Sequence, residues 1–169
     1  KLFKSLAVGK LIPTAVVFKL WLDKAAELKA KKSSKGFVME GCPRKIMEAY
    51  LDDEAFQWYE WDKNVKAILV DISDREAFWR LTKRRICKNC KELIPFVGHF
   101  RKLKKCPKCG GELIRRSDDT VAAIKKRLRW FKTDVQEVVD YYRKTGRLIK
   151  VNGEQPIDDV FQDILIAIK

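Results

Sequence analysis

Four cysteines arranged as two short pairs constrain this chain more than any other feature. The pairs are Cys87 with Cys90 and Cys106 with Cys109, and fifteen residues separate one pair from the other. A C-x2-C turn directs both thiolates to one centre, so two such turns can enclose a tetrahedral metal ion. The pattern predicts a structural metal site with no open position for catalysis. Zinc and iron both fit four thiolates, and the spacing does not separate them.

The other cysteine and the apolar runs indicate the compartment. Cys42 stands alone, and a disulfide framework is the weaker interpretation of the four paired cysteines. Free thiols suit a reducing compartment, so we expect a cytoplasmic protein. No stretch approaches the ~20 apolar residues that cross a bilayer, and no membrane partner is expected. His99 lies between the pairs, but four cysteines already complete a tetrahedron, which favours a plain loop residue.

The charge of the chain favours anionic ligands. A formal net charge of +14 arises from 37 basic and 23 acidic residues among 169. Nucleotides, nucleic acid and acidic surfaces all suit such a charge. Many of the lysines fall in segments such as 31–35, where a solvated surface is the simpler interpretation. Charge alone therefore does not choose among these partners.

The order of predicted elements indicates an α/β fold. In the first half we predict a helix over Thr14–Ala30 capped by Thr14, a buried strand over 36–39 that opens into a functional loop, and a helix over 45–52. Residues 65–72 are apolar nearly throughout, which predicts a strand covered on both faces. A helix over 74–83 follows. The fold class is α/β, with a parallel sheet flanked by helices and an inserted zinc ribbon over 84–116.

The C-terminal third continues the alternation of helix and strand. Ser117 or Asp118 would cap a long helical stretch with apolar residues at spacings of three and four. A core-facing helix or two helices in series is the preferred interpretation, and a coiled coil is the alternative. A strand over 148–151 and a final helix with apolar residues from Ile157 to Ile168 complete the chain.

Five segments of the sequence form a recognisable series: GKLIP (9–13), GFVMEGCPR (36–44), RLTKRRIC (80–87), RSDD (116–119) followed by KRL (126–128), and NGEQ (152–155). In this order they resemble the motifs of adenylate kinases of the zinc-containing bacterial type. The resemblance runs from about Gly9 to the C-terminus. It implies a phosphate-loop kinase fold divided into a core over 1–83, with an AMP-binding segment at about 1–30, a zinc-ribbon lid over 84–116, and a second core part over 117–169.

The resemblance also implies a reaction and its residues. The reaction is Mg²⁺-dependent phosphoryl transfer between ATP and AMP, giving two ADP, by a monomer that holds one structural Zn²⁺ in Cys87, Cys90, Cys106 and Cys109. The implied catalytic residues are Arg84, Arg116 and Arg127. The implied AMP-binding residues are Lys10, Leu11, Ile12, Gly41, Cys42, Pro43, Arg44, Glu48, Arg116 and Arg127. The implied ATP-binding residues are Arg80, Arg84, Leu93, Ile94 and Gln155.

One part of the family pattern has no match in this sequence. The family begins with a strand, a glycine-rich phosphate loop and a helix, on the order of 30 residues, and Gly9-Lys10 does not resemble that loop. In the family this strand lies between those corresponding to 36–39 and 65–72. We therefore expect the 169-residue chain by itself to be inactive and poorly stable, with two unpaired strand edges.

Smaller departures concern the acceptor nucleotide. Glu40 replaces an aspartate that helps to organise Mg²⁺, and Cys42 replaces a phenylalanine. Glu48 stands where the family has a glutamine that reads adenine. An ionised carboxylate accepts hydrogen bonds but cannot donate one, so the preferred base is open, with guanine and pyrimidine monophosphates as alternatives.

A second function is compatible with the same features. A degenerate kinase-like protein could use the basic ribbon segment 99–105 to bind RNA or another polyanion. The arginines at the motif positions argue against it, because a binder has no use for that pattern.

Overall fold

The computed structural model describes residues 12–31 and 35–169, which form two compact units. The first unit contains the described part of Lys1–Val65 together with Thr133–Arg147, and the second contains Lys66–Lys132 and Leu148–Lys169. The helices are α1 (Thr14–Ala30), α2 (Ile46–Trp58), α3 (Asp74–Lys83), α4 (Val121–Trp130), α5 (Gln136–Lys144) and α6 (Ile157–Ile168). The strands are β1 (Ala67–Asp71), β2 (Arg85–Cys87), β3 (Leu93–Ile94), β4 (Leu113–Ile114) and β5 (Leu148–Asn152).

Three short helical turns complete the described elements. Two are 3-10 turns, at Asp62–Asn64 and Gly98–Lys102, and a π-helical turn at Phe131–Val135 joins α4 to α5. The long stretch after the ribbon is therefore two helices in series, as one of the sequence interpretations had it. The predicted cap at Ser117 or Asp118 is wrong, because α4 begins later, with Thr120 accepting a hydrogen bond from the backbone N–H of Ala123 at 3.2 Å.

The first unit is helical and is centred on aromatic side chains. Helix α2 packs against α1 and α5, and the small residues Ala25 and Ala49 are fully buried on α1 and α2. The indole of Trp21 lies 5.5 Å from the ring of Phe37 and 5.9 Å from that of Phe56, measured between centroids. Burial of large rings of this kind supplies much of the apolar stabilisation of a small unit.

The predicted strand over 36–39 is wrong. Within the described residues this segment pairs with no strand, and Val38 is 95% exposed. A short apolar run becomes a strand only when a neighbour satisfies its backbone groups. Phe37 instead packs its ring on Trp21 and, at 5.1 Å, on Trp61.

The second unit contains a parallel pair of strands, which confirms the predicted parallel sheet. β1 pairs with β5 from Ala67 opposite Leu148 to Asp71 opposite Asn152, and α6 packs against β5. The prediction that β1 is covered on both faces is wrong: Ile68 is 38% and Val70 is 46% exposed. Successive side chains of a strand point to opposite faces, so this alternation indicates cover on one face only.

A glycine closes the turn after β5. The Gly153 N–H donates to the carbonyl oxygen of Asp71 at 2.8 Å. A Cβ at this position would lie 2.7 Å from Cγ1 of Val70 and 2.8 Å from Cγ2 of Ile72. Only glycine allows the chain to pass this close to the end of β1.

Helices α1, α3 and α6 have their predicted bounds, whereas α2 continues to Trp58, beyond the predicted end at residue 52. Helix α3 begins and ends as the sequence predicts, and Ser73 caps it by accepting from the Glu76 N–H at 3.2 Å. Helix α1 also has its predicted bounds, but Thr14 is not its cap. Pro13 holds that position, and the hydroxyl of Thr14 donates to Glu48 at 3.2 Å.

Candidate functional site

Three arginines converge on two neighbouring aspartates in the second unit. Arg84 follows α3, Arg116 follows β4, and Arg127 lies on α4. Their guanidinium groups bind the carboxylates of Asp118 and Asp119, which lie between β4 and α4. Elements that are distant along the chain thus bring the three predicted catalytic arginines to one place.

Asp119 is the buried centre of this group. Its side chain is 3% exposed and binds Arg84 through two hydrogen bonds, of 2.5 and 2.7 Å, and Arg127 through one of 2.9 Å. The hydrogen bonds that Arg84 donates to Asp119 raise the pKa of Arg84, although burial opposes this. Two cations at one buried carboxylate fix the direction of both guanidinium planes.

Asp118 performs the same role at the surface. Its carboxylate accepts from Arg116 at 2.8 and 2.7 Å and from Arg127 at 2.6 Å. Burial disfavours its charge, but the hydrogen bonds from Arg116 and Arg127 prevail and lower the pKa of Asp118. These bonds also explain why Asp118 does not cap α4, since its oxygens are already directed to the arginines.

Arg80 lies outside this cluster. Its Nε donates to Glu76 on the same helix at 2.6 Å. The guanidinium of Arg101, from the ribbon, lies 4.6 Å from the ring of Trp79 and 3.9 Å from the carboxylate of Glu76. The predicted ATP-binding role of Arg80 stays a prediction, and Glu76 is its partner in this structure.

The four paired cysteines form a metal-binding cluster, as the spacing predicts. The four Sγ atoms all lie within 4.8 Å of one another, with Cys87 to Cys109 at 3.5 Å and Cys90 to Cys106 at 3.6 Å. A disulfide needs about 2.05 Å between sulfurs, and all four cysteines are free. Zinc–sulfur bonds of about 2.3 Å place tetrahedral sulfurs roughly 3.8 Å apart. The donor set and its geometry therefore fit one tetrahedral ion.

Backbone geometry in the two turns supports the thiolates. The turns hold Lys91 and Gly110 at positive φ, 62° and 70°, and strand β2 pairs with both β3 and β4. Burial disfavours the Cys87 thiolate, but the backbone N–H groups of Cys90 and Asn89 outweigh it and lower the pKa of Cys87. The backbone N–H of Glu92 acts in the same direction on Cys90, but the neighbouring thiols outweigh it and raise the pKa of Cys90 in the absence of metal. Thiolates are the form that binds metal, so the turns favour coordination.

The predicted acceptor residues of the first unit lie in the loop before α2 and on its first turn. Gly41 has a φ of 79°, and a Cβ there would lie 3.1 Å from Nη2 of Arg44. Glu48 accepts the backbone N–H of Arg44 at 2.7 Å and the hydroxyl of Thr14 at 3.2 Å. Its carboxylate is thereby held at the N-terminus of α2, where the helix dipole favours negative charge.

Other predicted residues lie apart from these groups. Lys10 and Leu11 are outside the described residues, and Ile12 is half-buried just before α1. Leu93 and Ile94 form β3 of the ribbon, with Ile94 2% exposed. Gln155, after β5, donates to Asp163 of α6 at 2.5 Å. Cys42 and Pro43 precede Arg44, and burial raises the pKa of the Cys42 thiol, so the thiol is kept neutral.

Curated relatives match most of this chain. An adenylate kinase of Chlamydia trachomatis is 38% identical over 167 residues, which cover 93% of this chain. Adenylate kinases of Desulfitobacterium hafniense and Archaeoglobus fulgidus are each 34% identical, and the matches cover 73% and 70% of those proteins. No protein-family model matches the chain.

The chain belongs to the adenylate kinase family. It covers 66% of the chlamydial relative, just under two thirds of that protein's length. Membership favours the phosphotransferase interpretation of the arginine cluster over the polyanion-binding alternative. No helix among the described residues is long and apolar enough to cross a membrane.

The family motifs contained residues whose roles sequence reasoning missed. Asp118 and Asp119 lie inside the RSDD segment, yet only the arginine was given a role there. A pair of carboxylates between two arginines of the motif was a usable signal, because a cluster of cations requires counter-charges. Thr14 was predicted to be a helix cap, but its hydroxyl donates to Glu48. The two residues are far apart in the chain, so no local pattern indicated this contact.

Proposed function

We propose that this protein catalyses the reversible, Mg²⁺-dependent transfer of a phosphoryl group from ATP to AMP. The convergence of Arg84, Arg116 and Arg127 on Asp118 and Asp119 carries the proposal. Phosphoryl transfer requires mainly that the protein hold two nucleotides in line and neutralise charge on the transferred group. Arginine suits this task because its planar fork binds phosphate oxygens and stays charged.

The hydrogen bonds of the cluster leave donors for a ligand. Each guanidinium has five N–H groups, and Arg84 uses two of them on Asp119 while Arg116 uses two on Asp118. Three cations and two anions leave one net positive charge. The aspartates thus fix the arginines in direction before a nucleotide arrives, and the remaining donors and charge are available to phosphate oxygens.

The two nucleotides would use different sets of residues. Arg44, Gly41, Cys42, Pro43 and Glu48 would bind AMP, together with Lys10, Leu11 and Ile12, while Arg116 and Arg127 would hold the transferring phosphoryl group. ATP would be held by Arg80 and Arg84, with the backbone at Leu93 and Ile94 and the loop at Gln155 along its base and ribose. Residues 84–116 would act as a lid that excludes water, so that AMP accepts the phosphoryl group.

Metal ions would have two separate roles. A structural Zn²⁺ bound by the four cysteines would hold the lid in shape, and Mg²⁺ would arrive with ATP. We further propose that the protein works as a monomer in the cytoplasm, where the four thiols stay reduced.

A coupled assay of the protein in its full natural length, with ATP, AMP and MgCl₂, tests the proposal. Two results together would support it: the wild-type protein forms ADP, and the kcat/KM of Arg127→Gln is lower by ~10²-fold or more. Arg129→Gln is the matched control, because Arg129 is exposed two residues along the same helix. An absence of ADP formation, combined with steeply salt-dependent RNA binding, would refute the kinase and favour the polyanion binder.

A further inference from the structure

A segment of the ribbon, residues 96–101, lies against helix α3 of the same unit. The ring of Phe96 meets that of Trp79 edge to face, with 4.9 Å between centroids. The guanidinium of Arg101 lies over the Trp79 ring, 4.6 Å from its centroid, and Nζ of Lys83 lies 5.9 Å from the centroid of Phe96. A cation within about 6 Å of a ring centroid is attracted by the ring. Residues 96–101 are therefore a docked segment, held on α3 by side chains.

Arg101 is anchored on two sides within this segment. Its guanidinium rests on Trp79, and its Nε donates to the carbonyl oxygen of Phe96 at 3.4 Å. Its Nη2 lies 3.9 Å from Oε1 of Glu76 on α3, which is too far for a hydrogen bond but close enough for electrostatic attraction. The side chain of Arg101 is 44% exposed. A short movement of the guanidinium would therefore bring Nη2 within hydrogen-bond distance of Glu76.

Glu76 supplies one carboxylate for two cations. The same Oε1 accepts from Nε of Arg80 at 2.6 Å. Glu76 stands three residues after Ser73, the cap of α3, and a glutamate at that position usually accepts the backbone N–H of the cap residue. In this chain Glu154 accepts that N–H instead, at 2.8 Å. The carboxylate of Glu76 is thus left to the two arginines.

We propose that Arg101 is a positioning residue of the ATP site: when ATP engages Arg80, the guanidinium of Arg101 closes on Glu76, neutralises its carboxylate and holds the docked segment against α3. The inference rests on the proposed function, in which Arg80 binds ATP. It adds a residue that acts through Glu76 and does not itself touch the nucleotide.

The charges of the three side chains favour this exchange. Arg80 neutralises Glu76 in the structure, and ATP would bring several negative charges to the same guanidinium. A carboxylate left beside bound phosphates without a counter-charge would oppose ATP by repulsion. Arg80 and Glu76 are only 21% and 24% exposed, so water screens this repulsion incompletely. Among the described residues Glu76 forms ion pairs with Arg80 and Arg101, which leaves Arg101 as the replacement.

Such an exchange would couple the nucleotide to the ribbon. A ligand shifts a conformational equilibrium only by the difference in its interactions with the two states. Here the difference would be the contact between Glu76 and Arg101, which is long in this structure and would shorten with ATP. The anchors at Trp79 and Phe96 keep Arg101 close to Glu76 beforehand, so that little side-chain freedom is lost when the contact forms.

Steady-state kinetics with ATP varied at fixed AMP, on the protein in its full natural length, test the inference. Arg101→Gln should raise the KM for ATP by ~5-fold or more and leave the KM for AMP within about twofold, since couplings between sites are typically of this size. Lys88→Gln is the matched control. It also removes a positive charge from the ribbon, but its partner there is Glu112, and both side chains are exposed.

A double-mutant cycle separates the exchange from packing and from direct contact with ATP. With Glu76→Gln in place no carboxylate needs a counter-charge, so adding Arg101→Gln should change the KM for ATP by less than about twofold. Arg101→Met keeps an apolar side chain over Trp79 and removes the charge, so it should raise the KM for ATP as Arg101→Gln does. Arg101→Met also decides the matter if Arg101→Gln fails to fold.

The contrary outcomes are distinct. If the wild-type protein forms ADP, the kinase stands, and three results would each overturn the inference: a wild-type KM for ATP in Arg101→Gln or Arg101→Met, an equal rise when Glu76→Gln is present, or an equal rise in Lys88→Gln. If the wild-type protein forms no ADP, the proposed function fails, and calorimetric titration with Mg·ATP decides the inference by the same cycle. A wild-type protein that does not bind ATP would overturn both.

Discussion

The carboxylate of Asp119 binds the guanidinium of Arg84 through two hydrogen bonds, from Nε to Oδ2 at 2.5 Å and from Nη2 to Oδ1 at 2.7 Å. The two residues are 35 positions apart, with the whole ribbon between them. The ion pair therefore closes the base of the ribbon and directs Arg84 at the same time. One buried side chain thus contributes both to the fold of the ribbon and to the direction of an arginine in the proposed catalytic cluster.

Replacing Asp119 tests this connection. Asp119→Asn leaves one oxygen for two arginines and places an amide N–H₂ against a cation, so we expect kcat/KM to fall by about 10²-fold, or roughly 2.7 kcal/mol. The measurement is the coupled assay with ATP and AMP. Asp140→Asn is the control, because Asp140 is 42% exposed and pairs with Arg143 at the surface. Equal activity of the two variants would contradict the positioning role.

The cysteine cluster predicts one bound metal ion per chain. Cys106→Ser removes a buried ligand, so we expect loss of the ion and faster hydrogen exchange of the ribbon amides, including that of Ile94, by ~10³-fold or more. Elemental analysis and exchange mass spectrometry measure the two effects. Cys42→Ser should change neither, since Cys42 lies in the other unit. An iron content equal to the protein content would contradict the assignment of zinc.

An ion pair in the first unit predicts acid lability. Burial disfavours the charge of Asp53, but the hydrogen bonds from Arg147 and Tyr141 prevail and lower its pKa. A lowered folded-state pKa gives stability that is present above the unfolded value of about 3.9 and is lost as pH falls through the folded value. We expect Asp53→Asn to reduce the free energy of unfolding by ~2–4 kcal/mol at pH 7.

The effect of Asp53→Asn should shrink as pH falls below about 4, because Asp53 is protonated first in the unfolded wild-type protein and then, below its lowered folded-state pKa, in the folded protein as well. Urea unfolding at several pH values measures it. Asp23→Asn breaks an exposed pair with Lys19, 59% exposed on the aspartate side, and should change stability by less than about 1 kcal/mol at any pH. Parallel curves for Asp53→Asn and the wild type would show that the pair adds nothing.

Asp52 predicts the opposite pH dependence. Burial raises its folded-state pKa to about 7, above its ordinary value, so between about pH 4 and pH 7 the folded protein holds the extra proton. The free energy of unfolding should therefore fall as pH rises through this window. Asp52→Asn removes the slope, and near pH 8 it should be more stable than the wild type by up to roughly 4 kcal/mol. A wild-type slope that persists in Asp52→Asn would contradict the assigned pKa.

Local patterns in the sequence were sufficient for much of the fold. The apolar spacing and end signals of α1, α3 and α6 predict their bounds, because the apolar periodicity of an amphipathic helix lies within one continuous segment of sequence. The four cysteines predict their own cluster for a similar reason, since two short turns set the geometry.

Features that depend on residues distant in the chain could not be predicted from the sequence. Residues 36–39 have the composition of a strand, but a strand exists only through its neighbour, which composition does not reveal. The alternating exposure of Ile68 and Val70 depends on which face the rest of the unit covers. The predicted cap of α4 was wrong because Asp118 binds two arginines in preference to the helix N-terminus. These arginines come together at Asp118 only in the folded protein, so local sequence does not show the competition.

The ribbon has almost no apolar interior. Its buried residues are Cys87, Ile94, Cys106 and Gly111, and a Cβ on Gly111 would lie 2.9 Å from the sulfur of Cys87. Coordination thus takes the place of a hydrophobic core, and the stability of the ribbon grows with the logarithm of the free metal concentration. If the ribbon acts as the proposed lid, the supply of metal in the cell would control enzyme turnover, because a cell short of metal would hold molecules whose parallel sheet is folded and whose ribbon is not.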